Sequence, residues 1–337
     1  MKSLVCTTPH QFNYINASMP VAVEGETLLK IERIGICGTD LHAYEGTQPY
    51  FNYPRILGHE LAATIVETRA VGFSIGDAVT IIPYMHCGQC IACKTGKHNC
   101  CVNMQVFGVH IDGGMREFVT VPDTALVKNS GLSLDELALV EPLAIGAHAV
   151  KRANIAFNEF VLVMGAGPIG IGIAQFAKIA GAQVIMVDVN ESRLDFCKNL
   201  LDIKHIINSV THNVVDVCKQ ITGNDMPTVV IDATGNLNAI NSAFTYLAHG
   251  GRYVLVGLQK EHISFSHPEF HKREATLMSS RNANTQDFNY VIDCIKKGLV
   301  KPSSLITHKV SFTDVASHFE TWLNPATGVV KAMVVFE

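Results

Sequence analysis

Phe160 to Asp188 reads FVLVMGAGPIGIGIAQFAKIAGAQVIMVD. Five apolar residues make a strand, and Gly165, Gly167 and Gly170 follow as G-x-G-x-x-G, with Pro168 and Ile169 inside the motif. A helix-compatible run continues to Ala180, Gly181 stops it, and Gln183 to Val187 form a second strand that Asp188 ends. Strand, glycine turn, helix and acid-terminated strand make the βαβ unit that holds a dinucleotide. Gly165 permits the turn, Gly167 admits the pyrophosphate to the backbone, and Gly170 lets helix and strand pack closely. The helix N-terminus offers unpaired N–H groups and a positive dipole end to the phosphates. Asp188 would accept hydrogen bonds from the ribose hydroxyls and repel a 2′-phosphate, so NAD is expected over NADP; Arg193 partly offsets that repulsion. Four glycines and a proline between residues 165 and 172 argue against a membrane span, as do Gln175 and Lys178.

The chain around this unit has 337 residues, 48% hydrophobic and 17% charged, which allows two domains with substantial cores. A net charge of -4 argues against a basic nucleic-acid binder. The opening MKSLVCTTPH does not read as a secretory signal. Five of the ten cysteines lie between Cys87 and Cys101, a bunching that favours metal binding in a reducing, cytoplasmic setting over a disulfide framework.

Downstream of Asp188, a helix is expected over 191–200, a strand over 228–231, a helix over 238–247 and a strand over 253–256. Ligands lie beyond the carboxyl ends of parallel strands, which makes Thr234, Gly235, Val256 and Gly257 candidate cofactor contacts. A strand over 275–279 is closed by Ser280-Arg281-Asn282, and the rest alternates helices and strands over 285–298, 312–322 and 329–336.

Upstream, the chemistry clusters. GICGTDLH (35–42) packs Cys37, Thr39, Asp40 and His42 into six residues, and its glycines suggest a turn. GHE (58–60) leads His59 and Glu60 into the strand-like LAATIV. A lone histidine there reads as a satisfied core group; beside Cys37 and a nucleotide fold, Cys, His and Glu offer the S, N and O ligands of a catalytic zinc with one position open. Cys87, Cys90 and Cys93, with Cys100 or Cys101, suit a closed tetrahedral zinc site, and an iron–sulfur cluster is the main rival. His110, in a glycine-rich loop, reads equally as a polar loop residue or a substrate contact. The segment 134–152 is helix-like and broken by Pro142, and Glu141 before that proline suggests a helix end with a buried carboxylate that needs a partner or a metal.

With GICGTDLH, GHE, the cysteine group, EPL (141–143) and GAGPIG (165–170) in place, the whole chain resembles the zinc-dependent medium-chain alcohol/polyol dehydrogenases, in the sorbitol and threonine dehydrogenase-like branch. VFGVHIDGG (106–114) and HPEFHKREATLMSSRN (267–282) are similar to enzymes of sugar acids such as L-galactonate. The resemblance implies an α/β Rossmann domain (143–281) and a split GroES-like β-barrel catalytic domain (1–142 and 282–337). It implies two zinc ions per chain. Cys37, His59, Glu60 and Glu141 would serve the catalytic one, and Cys87, Cys90, Cys93 and Cys101, rather than Cys100, the structural one. Thr39 would begin a proton relay with His42 near its outer end, Asp40 would support the site, and His110, Arg281 and Asn282 would meet the substrate. The reaction would be NAD-dependent, reversible oxidation of a secondary alcohol of a polyol or sugar acid by a homo-oligomer, dimer or tetramer. In place of the family's GHE-x-x-G, Ala63 stands here. Rival readings are an L-threonine or butanediol-type dehydrogenase, a zinc-free quinone reductase, and a non-catalytic zinc- and nucleotide-binding structural protein.

Overall fold

The computed structural model describes residues 1–49, 51–129 and 131–337. The chain forms two compact units, Met1–Ala144 with Ala283–Glu337, and Ile145–Asn282.

The second unit is one parallel sheet of six strands in the order His205–Asn208, Gln183–Asp188, Phe160–Met164, Val229–Asp232, Arg252–Leu255 and Thr276–Ser279. The strand opened by Phe160 is central because Val161 to Met164 are buried and carry no polar side chain, as a strand covered on both faces requires. Strand order reverses beside it, and that switch point is where doubly wound sheets take their ligand. Each chain crossover contains a helix, the first being Pro168–Ile179.

In the first unit, Leu126–Lys128, Ala78–Ile81, Glu60–Glu67, Glu26–Gly35, Lys331–Val335 and Ile306–Ser311 run side by side, with Phe118–Pro122 also paired to Glu26–Gly35. The C-terminal strand thus lies antiparallel to Glu26–Gly35, with Met333 opposite Gly35. Leu29, Ile31, Ile34, Leu61, Val79, Val119 and Val334 build the core beneath.

Four expectations change. GICGTDLH is not a simple turn: Gly38–Glu45 is a helix, started by the Asp40 carboxylate accepting from the Cys37 N–H at 3.0 Å. The 134–152 helix breaks at Leu139, not at Pro142. Pro142 stands in the first turn of Val140–Ala153, where its missing N–H costs no helical bond, so Glu141 opens a helix instead of ending one. The single element expected over 312–322 divides into a short turn at Val315–Ser317 and the helix Phe319–Leu323. The strands Gln11–Asn16 and Ile306–Ser311 were not expected; the first is largely exposed, the second mostly half-buried, and both lack a clean apolar alternation.

Candidate active site and metal centres

Asp40 is fully buried and bonds two loops together. Its Oδ2 accepts from Cys37 N at 3.0 Å and its Oδ1 from Gly58 N at 3.0 Å. The Gly58 loop is also fixed from behind by main chain. A Cβ on Gly113 would stand 2.4 Å from Gly58 O, one on Gly108 2.8 Å from it, and Gly114 N donates to that oxygen at 2.8 Å. His59 follows, buried, with Nδ1 3.7 Å from Asp40 Oδ1 and no hydrogen bond. Glu60 begins its strand opposite Gly35, where a Cβ would stand 2.0 Å from Glu60 Oε2.

Donor atoms of Cys37, His59 and Glu60 all lie within 4.8 Å of one another. A thiol, an imidazole and a carboxylate converging on one point suit a catalytic zinc that keeps a fourth position open. The buried, unbonded His59 nitrogen beside a carboxylate fits an imidazole oriented toward a metal. Burial pulls the His59 pKa down, but Asp40 and Cys37 outweigh it and leave it well above the ordinary histidine range. Glu141 stands outside the group of three. Its Oε1 accepts a hydrogen bond from the Tyr84 hydroxyl, and burial pushes its carboxyl up to about 7, with the Glu60 charge acting the same way.

Two residues of this site went unnoticed in the sequence. Lys331 Nζ lies 2.7 and 2.8 Å from the two oxygens of Glu60 and 3.0 Å from Ile36 O. The signal was a single charge inside the apolar run VVKAMVVF, which burial makes costly unless paired. Tyr84 left no comparable signal. Of the expected relay, Thr39 is half-buried on the helix Gly38–Glu45, while His42 is exposed, its Nδ1 3.2 Å from Thr47 Oγ1.

The second group is Cys87, Cys90, Cys93 and Cys101, with all sulfurs within 4.8 Å; Cys100 is exposed and outside it. Two sulfur pairs, Cys90–Cys93 and Cys87–Cys101, stand 3.4 and 3.5 Å apart. A tetrahedron with bonds of about 2.3 Å has an edge of about 3.8 Å, so one zinc ion fits. The backbone N–H of Cys93 lowers the Cys90 thiol to about 6, toward the thiolate that binds metal. The rings of His86 and His98 stack against each other beside this group, centroids 4.2 Å apart.

In the other unit Gly165 has φ +96°, and a Cβ on Gly170 would stand 1.7 Å from Gly165 O. Nothing crowds a Cβ position on Gly167, the helix N-cap before Pro168 and Ile169, which leaves that turn open to a phosphate. Asp188 accepts from Ala166 N at 2.5 Å and Asn190 N at 2.8 Å, which brings its carboxylate to the glycine turn; Arg193 follows in the helix Glu191–Leu201. Asp232 organises the neighbouring strand end: it accepts from Thr234 N and Gly235 N at 3.1 and 3.2 Å. Val256 and Gly257 both donate to its carbonyl, at 2.9 and 3.0 Å. His110 Nδ1 accepts from Val106 N at 2.9 Å, which puts the ring proton on Nε2. Arg281 is exposed, and Asn282 adopts φ +53°.

Among the described residues no helix is long and apolar enough to cross a membrane. Family models match residues 23–131 as an alcohol dehydrogenase GroES-like domain and 168–297 as a zinc-binding dehydrogenase. The chain is 40% identical over 341 residues to L-galactonate-5-dehydrogenase of Escherichia coli, covering 100% of this chain and 99% of that protein. It is 30% identical to 2-dehydro-3-deoxy-L-galactonate 5-dehydrogenase of Pseudoalteromonas atlantica, covering 96% and 95%. An alcohol dehydrogenase of Escherichia coli solved with NADH superposes with a TM-score of 0.93 at 32% identity, covering 100% and 99%. The two ligand groups and the zinc-binding dehydrogenase model agree on zinc, and the two units are the GroES-like and Rossmann-like parts of one fold. The chain belongs to the zinc-dependent medium-chain alcohol/polyol dehydrogenases, NAD-dependent oxidoreductases of the CH–OH group.

Proposed function

We propose that this enzyme oxidises a secondary alcohol of a sugar acid, L-galactonate or a close analogue, to the ketone, and catalyses the reverse. The observation that carries this reading is the full-length 40% identity to an L-galactonate-5-dehydrogenase. In this reading residues 1–142 and 282–337 carry the catalysis and 143–281 hold NAD. A zinc ion at the Cys37–His59–Glu60 group would polarise the alcohol oxygen, and NAD would accept the hydride. Asp40 orients His59 and fixes Cys37. Thr39 takes the hydroxyl proton outward, and exposed His42 passes it to solvent. Glu141 places a carboxylate beside the group. Cys87, Cys90, Cys93 and Cys101 hold the structural zinc.

Gly165, Gly167, Pro168, Ile169 and Gly170 cradle the pyrophosphate, and Asp188 with Arg193 faces the ribose. Thr234, Gly235, Val256 and Gly257 line the rest of the cofactor. His110 donates to a substrate hydroxyl, and Arg281 with Asn282 receives the substrate's far end, the guanidinium suiting a carboxylate. The enzyme works as a homo-oligomer, a dimer or tetramer, in the cytoplasm, where its ten cysteines, none in a disulfide, stay reduced.

A site built to bond hydroxyls rejects analogues without them, by roughly ten-thousandfold in the best cases. The test compares kcat/KM for L-galactonate, other sugar acids, neutral polyols, L-threonine and ethanol at saturating NAD. L-Galactonate or another sugar acid leads if the reading holds. Ethanol or threonine matching the best polyhydroxy substrate rejects it. Neutral polyols leading would keep the polyhydroxy class and reject the carboxylate.

A further inference from the structure

Tyr84 begins the short strand Tyr84–Met85, which pairs with Gln105–Val106. These two strands flank the four-cysteine lobe on either side, Tyr84 three residues before Cys87 and Gln105 four after Cys101. The backbone under Tyr84 is thereby braced at the base of the lobe. The ring is 5% exposed and its hydroxyl donates to Glu141 Oε1; Glu141 is 2% exposed. A buried phenol and a buried carboxylate both lose free energy without a partner, and here each supplies the other's.

Tyr84 gives the Glu141 carboxylate a directional bond, whereas His59, Glu60 and Lys331 act on it through charge. Glu141 stands in the first turn of its helix, and its carboxylate is not among the three groups that converge. Backbone position alone leaves a glutamate several rotamers. A rigid aromatic donor removes that choice.

We propose that Tyr84 is a positioning residue for the reaction, its hydroxyl fixing the Glu141 carboxylate beside the Cys37–His59–Glu60 group. This rests on the reading that the group holds the catalytic metal. The bland alternative makes Tyr84 a core residue whose hydroxyl happens to find an acceptor.

The test uses the full chain with Co2+ in place of zinc, as Tyr84→Phe, Glu141→Gln and the double variant. Three properties are measured: the Co2+ d–d bands, the rate at which a chelator strips the oxygen-bearing site, and kcat and KM separately. The thiolate bands of the four-cysteine site serve as the internal control. Tyr84→Phe is expected to shift the d–d bands, speed metal release about tenfold or more, and lower kcat more than it raises KM. Added to Glu141→Gln it should change nothing further, because residues that act through one another are not additive. Parent-like bands, release and kinetics in Tyr84→Phe would overturn the proposal, and so would additive effects. Should Tyr84→Phe fail to fold, recovery of the fold in the double variant supports it, since the orphaned carboxylate is gone; no recovery counts against it. A parent enzyme that oxidises no sugar acid or polyol defeats the proposed function, whereas the bands and release rates still decide the role of Tyr84.

Discussion

Lys331 and Glu60 form a closed ion pair. The lysine nitrogen lies 2.7 and 2.8 Å from the two carboxylate oxygens, and the side chains are 3% and 0% exposed. They come from opposite ends of the chain, 271 residues apart. In the metal-free protein, Lys331→Met would leave the Glu60 carboxylate buried without its cation, at a cost of about 3–5 kcal/mol. Urea unfolding should show the midpoint falling accordingly, and a shift under about 1 kcal/mol would mean that Glu60 finds another partner.

The two metal groups should fail differently. Cys37→Ser removes a ligand from an already packed site, so turnover is lost while the melting temperature stays near the parent's. Cys90→Ser opens a closed site whose binding energy is folding energy, so stability falls first. Metal analysis by mass spectrometry should find two zinc ions per chain in the parent and a deficit at one group in each variant. Active Cys37→Ser enzyme would remove Cys37 from the catalytic set.

Asp188 should govern cofactor choice. Its carboxylate is already drawn to the glycine turn by Ala166 N and Asn190 N, where it would repel a 2′-phosphate. The parent is expected to prefer NAD, and Asp188→Ser to narrow the ratio of kcat/KM between NAD and NADP about tenfold or more. Equal parent values for the two cofactors would contradict this.

Asp135 ties the helix Leu134–Ala138 to Arg33, at 2.9 Å, and to Lys309. Burial raises its pKa, but the bonds from Lys309 and Arg33 outweigh burial and hold it below the ordinary carboxyl value. A folded pKa below the unfolded one contributes stability that is complete above the unfolded value, about 4, and lost as pH falls through the folded value. Asp135→Asn should therefore lower the melting temperature at neutral pH and approach the parent below about pH 4. A gap that stays constant with pH would assign the effect to packing.

Gly170→Ala should collapse the nucleotide turn, because the added Cβ meets main chain at 1.7 Å instead of a side chain that could move. Loss of NADH binding by fluorescence titration is expected while both metals are retained.

How much of this was legible in the sequence depended on whether neighbours in space were neighbours along the chain. The glycine turn, Cys37, His59, Glu60 and the four cysteines carry their chemistry within short stretches, and apolar runs marked five of the six parallel strands but not His205–Asn208. Lys331 and Tyr84 could not be found that way. Their partners lie 271 and 57 residues distant, and only the fold brings the groups together. The helix at Gly38–Glu45 hid behind its glycines because the cue that starts it, Asp40 bonding back to Cys37, is a geometry instead of a composition. Pro142 misled for a related reason: a proline marks a helix boundary without saying which end.

His59 is set in place by glycines. The loop behind it meets Gly58 through Gly108, Gly113 and Gly114, main chain against main chain, while its Asp112 carboxylate accepts from Ile56 N at 3.1 Å just before Gly58. The same loop displays His110. If residue 110 meets the substrate as proposed, descendants of this enzyme can exchange it, and so change which substrates they accept, while the main-chain contacts on Gly58 are inherited intact. Innovation in this loop is open at residue 110 and closed at its glycines.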